Sequence, residues 1–152
     1  MVAQLMPLLP PPTNADYRGS RISIAVLGLA VATTIIPACI HIFLPDGGSN
    51  LIAGMGLDLG SEHGRRIVGL FAWAGTTQLV WGAMLALILL RHRALIPMAL
   101  SLLTVERMLH AWHMWGPKGG SHHPPEAYAT LAIIPIFALS ALLSLQTDKR
   151  IK

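Results

Sequence analysis

The chain is poor in charge, in cysteine and in any motif that names a reaction. Only 12% of its 152 residues are Asp, Glu, Lys or Arg, about half the roughly 25% usual in soluble domains. A surface that faces water on all sides is thereby excluded. The single cysteine, Cys39, lies inside an apolar run, so no intrachain disulfide can form and redox compartment is not encoded in thiol usage. The formal charge of +4 makes no nucleic-acid patch, because the basic residues stand in pairs at the ends of apolar segments. No HExxH pattern and no CxxCH haem-attachment motif occurs. Gly47-Gly48 is ordinary turn chemistry and no phosphate loop. A secretory signal is also missing: residues 1–9 have no basic start, Pro7 interrupts them, and Pro10-Pro11-Pro12 follows. Residues 1–20 read as an irregular tail with a polyproline II turn, and 21–152 as one membrane domain.

What the chain has in abundance is apolar length. It is 53% hydrophobic, with a mean hydropathy of +0.58. Four runs, at 22–44, 67–90, 94–115 and 127–145, each supply the ~20 helical residues that cross a hydrocarbon core. None shows strand-like alternation, and a bilayer admits only helices or closed barrels. The fold class is therefore all-α, a polytopic four-helix transmembrane bundle. Pro97 sits in a first turn, where its missing N–H costs nothing. Pro37 and Pro135 lie within spans and should kink them. Lys and Arg orient the bundle. One side carries seven of them (Arg18, Arg21, Arg91, Arg93, Lys149, Arg150, Lys152) and the other three (Arg65, Arg66, Lys118), with Arg107 inside the third span. This predicts both termini in the cytoplasm, in a bacterial inner membrane.

That orientation gathers the chemistry. His41, His63, His110, His113, His122 and His123 fall at the outer end, and His92 alone at the inner one. The third span closes on Thr104-Val105-Glu106-Arg107-Met108-Leu109-His110-Ala111-Trp112-His113-Met114-Trp115. Glu106, His110 and His113 are spaced i, i+4, i+7, within roughly 60° of one another on one helix face. Ionisable groups at membrane depth are costly and mark functional sites by default. Imidazoles at i and i+3 can share a metal, with a carboxylate as ligand or second partner. His41 is the best completing imidazole, with His63 and Glu62 next, and His122-His123 could fold over as a lid. Such a set would suit zinc, iron, copper or haem, and sequence does not choose among them. Arg107 lies about 100° off the stripe; it could pair with a carboxylate elsewhere or snorkel, although its central depth makes snorkelling difficult, and it joins the candidate cofactor-binding residues. Against a site stands a plainer reading, in which His113, Trp112 and Trp115 form an interfacial belt and Glu106 and Arg107 fix packing.

On the second span Gly75 and Gly82 would admit a neighbouring helix around Gln78, while Arg66, Trp73 and Thr77 share another face. Thr34, Pro37 and His41 share a face of the first. The segment 45–60 is long for a small bundle. Its Leu51, Ile52, Met55, Leu57 and Leu59 suggest a short surface helix or re-entrant piece covering a pocket.

Four short spans, Gly64-Arg65-Arg66-Ile67-Val68-Gly69 opening the second, and a Gly/Pro-containing loop after the third make residues 21–146 similar to small DoxX-like membrane proteins. The resemblance implies a four-helix bundle, linked in some members to quinone or respiratory redox chemistry. It assigns no functional residue. Three readings follow from the sequence. The first is a pocket on Glu106, Arg107, His110 and His113 that binds a metal, haem or lipophilic ligand. The second is an accessory subunit packed against other membrane proteins or its own copies. The third is a metal-dependent membrane enzyme with Glu106 as general base or proton relay. Membrane lipids are partners in all three.

Overall fold

A computed structural model describes residues 9–121 and 123–146. Among these, four helices are long and apolar enough to cross a membrane. Helix α1 spans Arg21–Phe43, α2 Glu62–Arg91, α3 Ile96–Trp115 and α4 Pro125–Leu145. Each boundary has a local cause. The Ser20 hydroxyl accepts the Ile22 N–H at 3.1 Å, and the Ser61 hydroxyl accepts the Gly64 N–H at 3.0 Å. These caps satisfy donors that a first turn otherwise leaves open. With Ser61 as cap, α2 begins five residues before its apolar run, and Glu62 in that first turn pairs with Arg66 one turn on. Pro97 and Pro125 occupy first-turn positions, whereas Pro37 and Pro135 lie inside α1 and α4.

The helices pair in chain order, α1 with α2 and α3 with α4; α1 makes the main bridge to α4, and α2 barely touches α3. Close approach of α1 and α2 depends on two glycines. A Cβ on Gly75 would stand 2.8 Å from His41 Cβ and 3.0 Å from the Ala38 carbonyl oxygen, and one on Gly82 would stand 2.6 Å from Ile35 Cγ1. Across the other seam the Ser23 hydroxyl donates to the Ser140 carbonyl at 2.8 Å.

The packed core is lopsided. Leu27, Ala30, Leu85, Ile88, Ile96, Leu100, Leu103 and Phe137 form it, and most lie toward the end that carries the α2–α3 turn. That end is also tied by the tail, which is not irregular throughout. A short 3₁₀ turn at Asn14–Asp16 places Asn14 so that its amide donates to the Leu90 carbonyl at 2.6 Å, while Thr13 N–H donates to the Arg91 carbonyl at 2.8 Å. Those carbonyls end α2 and have no partner within the helix, so the chain itself caps them. The triple proline lies just before this clasp.

The opposite end, where the long loop 44–61 and the segment after Trp115 emerge, holds the two larger cavities, and Leu103 and Phe137 at the edge of the core line a third. The long loop is a chain of turns, and no helix forms in it. Gly47 and Gly48 adopt φ of 60° and 80°, a left-handed geometry that ends α1's continuation. Asp46 then organises the turns, its carboxylate accepting N–H groups of Gly48, Asn50 and Leu51 at 2.8–3.0 Å. Ile52 from this loop does line a cavity below it.

Candidate functional site in the loop-end cavities

Glu106 and His110 lie one helical turn apart on α3 and form a wall common to two cavities. One, of about 520 Å³, opens at the loop end against Leu109, His113, Met114, Lys118 and His123. The other, of about 760 Å³, lies between α2 and α3 where those helices do not pack. Phe71, Trp73, Ala74, Thr77, Gln78 and Trp81 give it an apolar, aromatic wall on α2. A third cavity, of about 290 Å³, lies on the far side among α1, α3 and α4, and shares Thr34, His41, Arg107 and Glu126 with the second. The three spaces thus meet at one knot of polar side chains.

Arg107 is the centre of that knot. Its Nε is 2.9 Å from Glu106 Oε2 and its Nη1 3.8 Å from Glu126 Oε1, and only 14% of its side chain is exposed. Glu126 Oε1 is also 3.9 Å from His110 Nε2. The sequence places Arg107 off the stripe of Glu106, yet a guanidinium reaches around its helix when two carboxylates flank it and the alternative is hydrocarbon. Glu106 Oε2 is buried and, despite its ion-pair distance, takes no aligned hydrogen bond. Two carboxylates face one guanidinium.

His41 reaches the same space from α1. Its Nδ1 is 2.7 Å from the Gly47 carbonyl oxygen. A carbonyl can only accept, so Nδ1 carries the hydrogen, and in a neutral ring Nε2 is left with its lone pair. The ring also meets Phe71 edge-on at 5.2 Å.

The remaining sequence candidates divide. His113 stays on the face of Glu106 and shares the loop-end cavity with Glu106 and His110, but it is exposed and does not line the α2–α3 cavity. Depth separates it, since it lies nearly two turns closer to the helix end. His63 is exposed in the first turn of α2 and lines none of these three cavities. His122 lies outside the described residues, and His123 stacks on Trp115 with ring centroids 4.2 Å apart. Among the described residues no group of three or more His, Cys, Asp or Glu is placed to hold a metal ion. The coordination set of His110, His113, Glu106, His41 and His63 is therefore not brought together.

Glu126 is the member that residue spacing did not supply. It opens α4 in a first turn that suits a carboxylate, and the unanswered charge of Arg107 was the signal that could have found it. Trp73 and Thr77, read as one face of the second span, both line the central cavity, as does Gln78. No protein-family model, curated protein or solved structure matches the chain, and the site is read from its own geometry.

Proposed function

We propose that this integral membrane protein binds a small lipophilic ligand with a polar head, admitted sideways between α2 and α3. One observation carries the reading. The cavity of about 760 Å³ joins an aromatic wall on α2 to the Glu106, Arg107, His110 and Glu126 group within a single space. Its volume falls in the range of roughly 300–1,000 Å³ typical of small-molecule sites, which pair apolar linings with a few polar groups that fix orientation. A mononuclear metal or a metal-dependent reaction has less support, because the imidazoles and carboxylates form no coordination set among the described residues. An accessory subunit packing through Gly75 and Gly82 is also less favoured, since α1 of the same chain occupies both glycines.

Mass spectrometry of lipophilic molecules that copurify with the full chain tests the reading. A stoichiometric small molecule should accompany the natural protein and be lost from Thr77→Trp, which fills the cavity. Its absence from the natural protein, or its persistence in Thr77→Trp, would sink the idea. The seven-to-three division of Lys and Arg supports a bacterial inner-membrane location with both termini cytoplasmic. Reporter fusions after Lys152 and near Lys118 should then signal on opposite sides.

A further inference from the structure

We propose, resting on that ligand-binding reading, that the ligand of the α2–α3 cavity is an organic cation: an apolar, preferably aromatic body carrying a delocalised or quaternary positive charge. The argument is one of unbalanced charge. Glu106 and Glu126 flank Arg107 at 2.9 and 3.8 Å, two carboxylates to one guanidinium, so the trio carries a formal charge of one negative unit. Among the described residues no Lys or Arg other than Arg107 pairs with either carboxylate. Lys118 lies on the loop-end side of Glu106 and His110, exposed and in no ion pair among the described residues, and Arg66 is engaged by Glu62 at the surface. Coulomb attraction between unit charges about 4 Å apart rises roughly fourfold from water to an effective dielectric near 20. A residual carboxylate charge facing a largely apolar cavity therefore favours a counter-charge.

The geometry offers the counter-charge a place. Glu106 and Glu126 both line the cavity, and their side chains are 42% and 51% exposed, so a ligand can reach them beside Arg107. The opposite wall presents Phe71, Trp73 and Trp81, whose ring faces attract cations within about 6 Å of their centroids. Negative head groups and aromatic walls within one space select for positive charge on an apolar frame. A neutral ligand would use the aromatic wall alone. An anion would be drawn to Arg107, but both carboxylates already engage that group and would repel the newcomer.

Three aromatic probes, two of them ions of matched shape and opposite charge and the third neutral, distinguish these cases. Tetraphenylphosphonium, tetraphenylborate and neutral triphenylmethane are titrated separately into the full chain in nanodiscs of zwitterionic lipid, following tryptophan fluorescence. The phosphonium should bind at least about tenfold more tightly than the borate, a factor equal to 1.4 kcal/mol, with triphenylmethane between them. Glu126→Gln and Glu106→Gln should each shrink the ratio of phosphonium to borate affinity, a ratio that a common loss of folded protein would not change. Thr77→Trp and Ala74→Trp should abolish binding of all three. Equal binding of the three probes, lost in the tryptophan variants, would overturn the charge preference and leave the cavity reading standing. A preference untouched by both glutamine variants would likewise overturn it. Failure of all three probes to bind, or binding unchanged in the tryptophan variants, would remove the cavity reading itself.

Discussion

At the scale of single residues, the bundle tolerates Arg107 only because of its neighbours. A guanidinium at this depth without partners would be expelled or would draw water after it. Glu106 and Glu126 remove that cost, and the reverse also holds. Arg107→Leu leaves two carboxylates facing each other across a cavity, and stability in detergent should fall by about 1–3 kcal/mol, the penalty of unsatisfied polar groups. Adding Glu126→Gln to Arg107→Leu should restore part of the loss. Additivity of the two changes in a double-mutant cycle would show that the pair is not coupled. Asp46 illustrates a different residue-level device. Backbone N–H groups of Leu51, Gly48 and Asn50 donate to its carboxylate and hold its pKa below the ordinary value of 3.8. A group with a depressed folded pKa stabilises the fold fully above its unfolded pKa and loses that contribution as pH falls through the folded one. The loop around Asp46 should therefore stay protected at pH 5 and loosen below pH 4, as read by limited proteolysis with an acid protease. Asp46→Asn should loosen it throughout, and equal protection of both forms at pH 5 would refute the carboxylate's role.

At the scale of the elements, the four spans were legible because hydropathy and length are properties of the segment itself. Their boundaries were less so. Helix α2 gained a turn and a half from Ser61 and Glu62, a capping effect outside the apolar run, and the loop after α1 stayed turn-like because Gly47 and Gly48 take left-handed conformations. Gly75 and Gly82 were legible as contact points, and the structure identifies their partner as α1. This makes a paired prediction. Gly75→Ala brings a Cβ against the Ala38 carbonyl and His41 Cβ, atoms that cannot turn away, so α1 and α2 must separate. Overpacking of this kind costs about 1–3 kcal/mol, and the shift of His41 should weaken ligand binding as well. Gly69→Ala adds a Cβ to open space on the same helix and should be neutral or stabilising by up to about 1 kcal/mol. Thermal unfolding of the two variants in one detergent decides the matter, and equal behaviour would show that the glycine contact is not what brings these helices together.

At the scale of the whole molecule, the packed core toward one end and the two larger cavities toward the other divide stability from function. Spacing on one helix revealed that Glu106 and His110 belong together, because i and i+4 share a face whatever surrounds them. It could not reveal Glu126 or the α2 wall, since these meet α3 only through tertiary packing, nor that His113 and His63 would stay off the α2–α3 cavity. The division has a measurable consequence. Leu100 is fully buried in the packed end, where close contact rather than water exclusion holds helices together in lipid. Leu100→Ala should cost at least about 2 kcal/mol, as truncations in well-packed cores do, yet leave ligand affinity unchanged under conditions where the protein stays folded. Leu70 is 60% exposed and lines the α2–α3 cavity. Leu70→Ala should change stability by less than about 0.5 kcal/mol, the usual range away from packed features, while weakening binding of an apolar probe severalfold. If both truncations moved stability and affinity together, the two ends would form one cooperative unit, and the cavity would be a breathing part of the core rather than a site set apart from it.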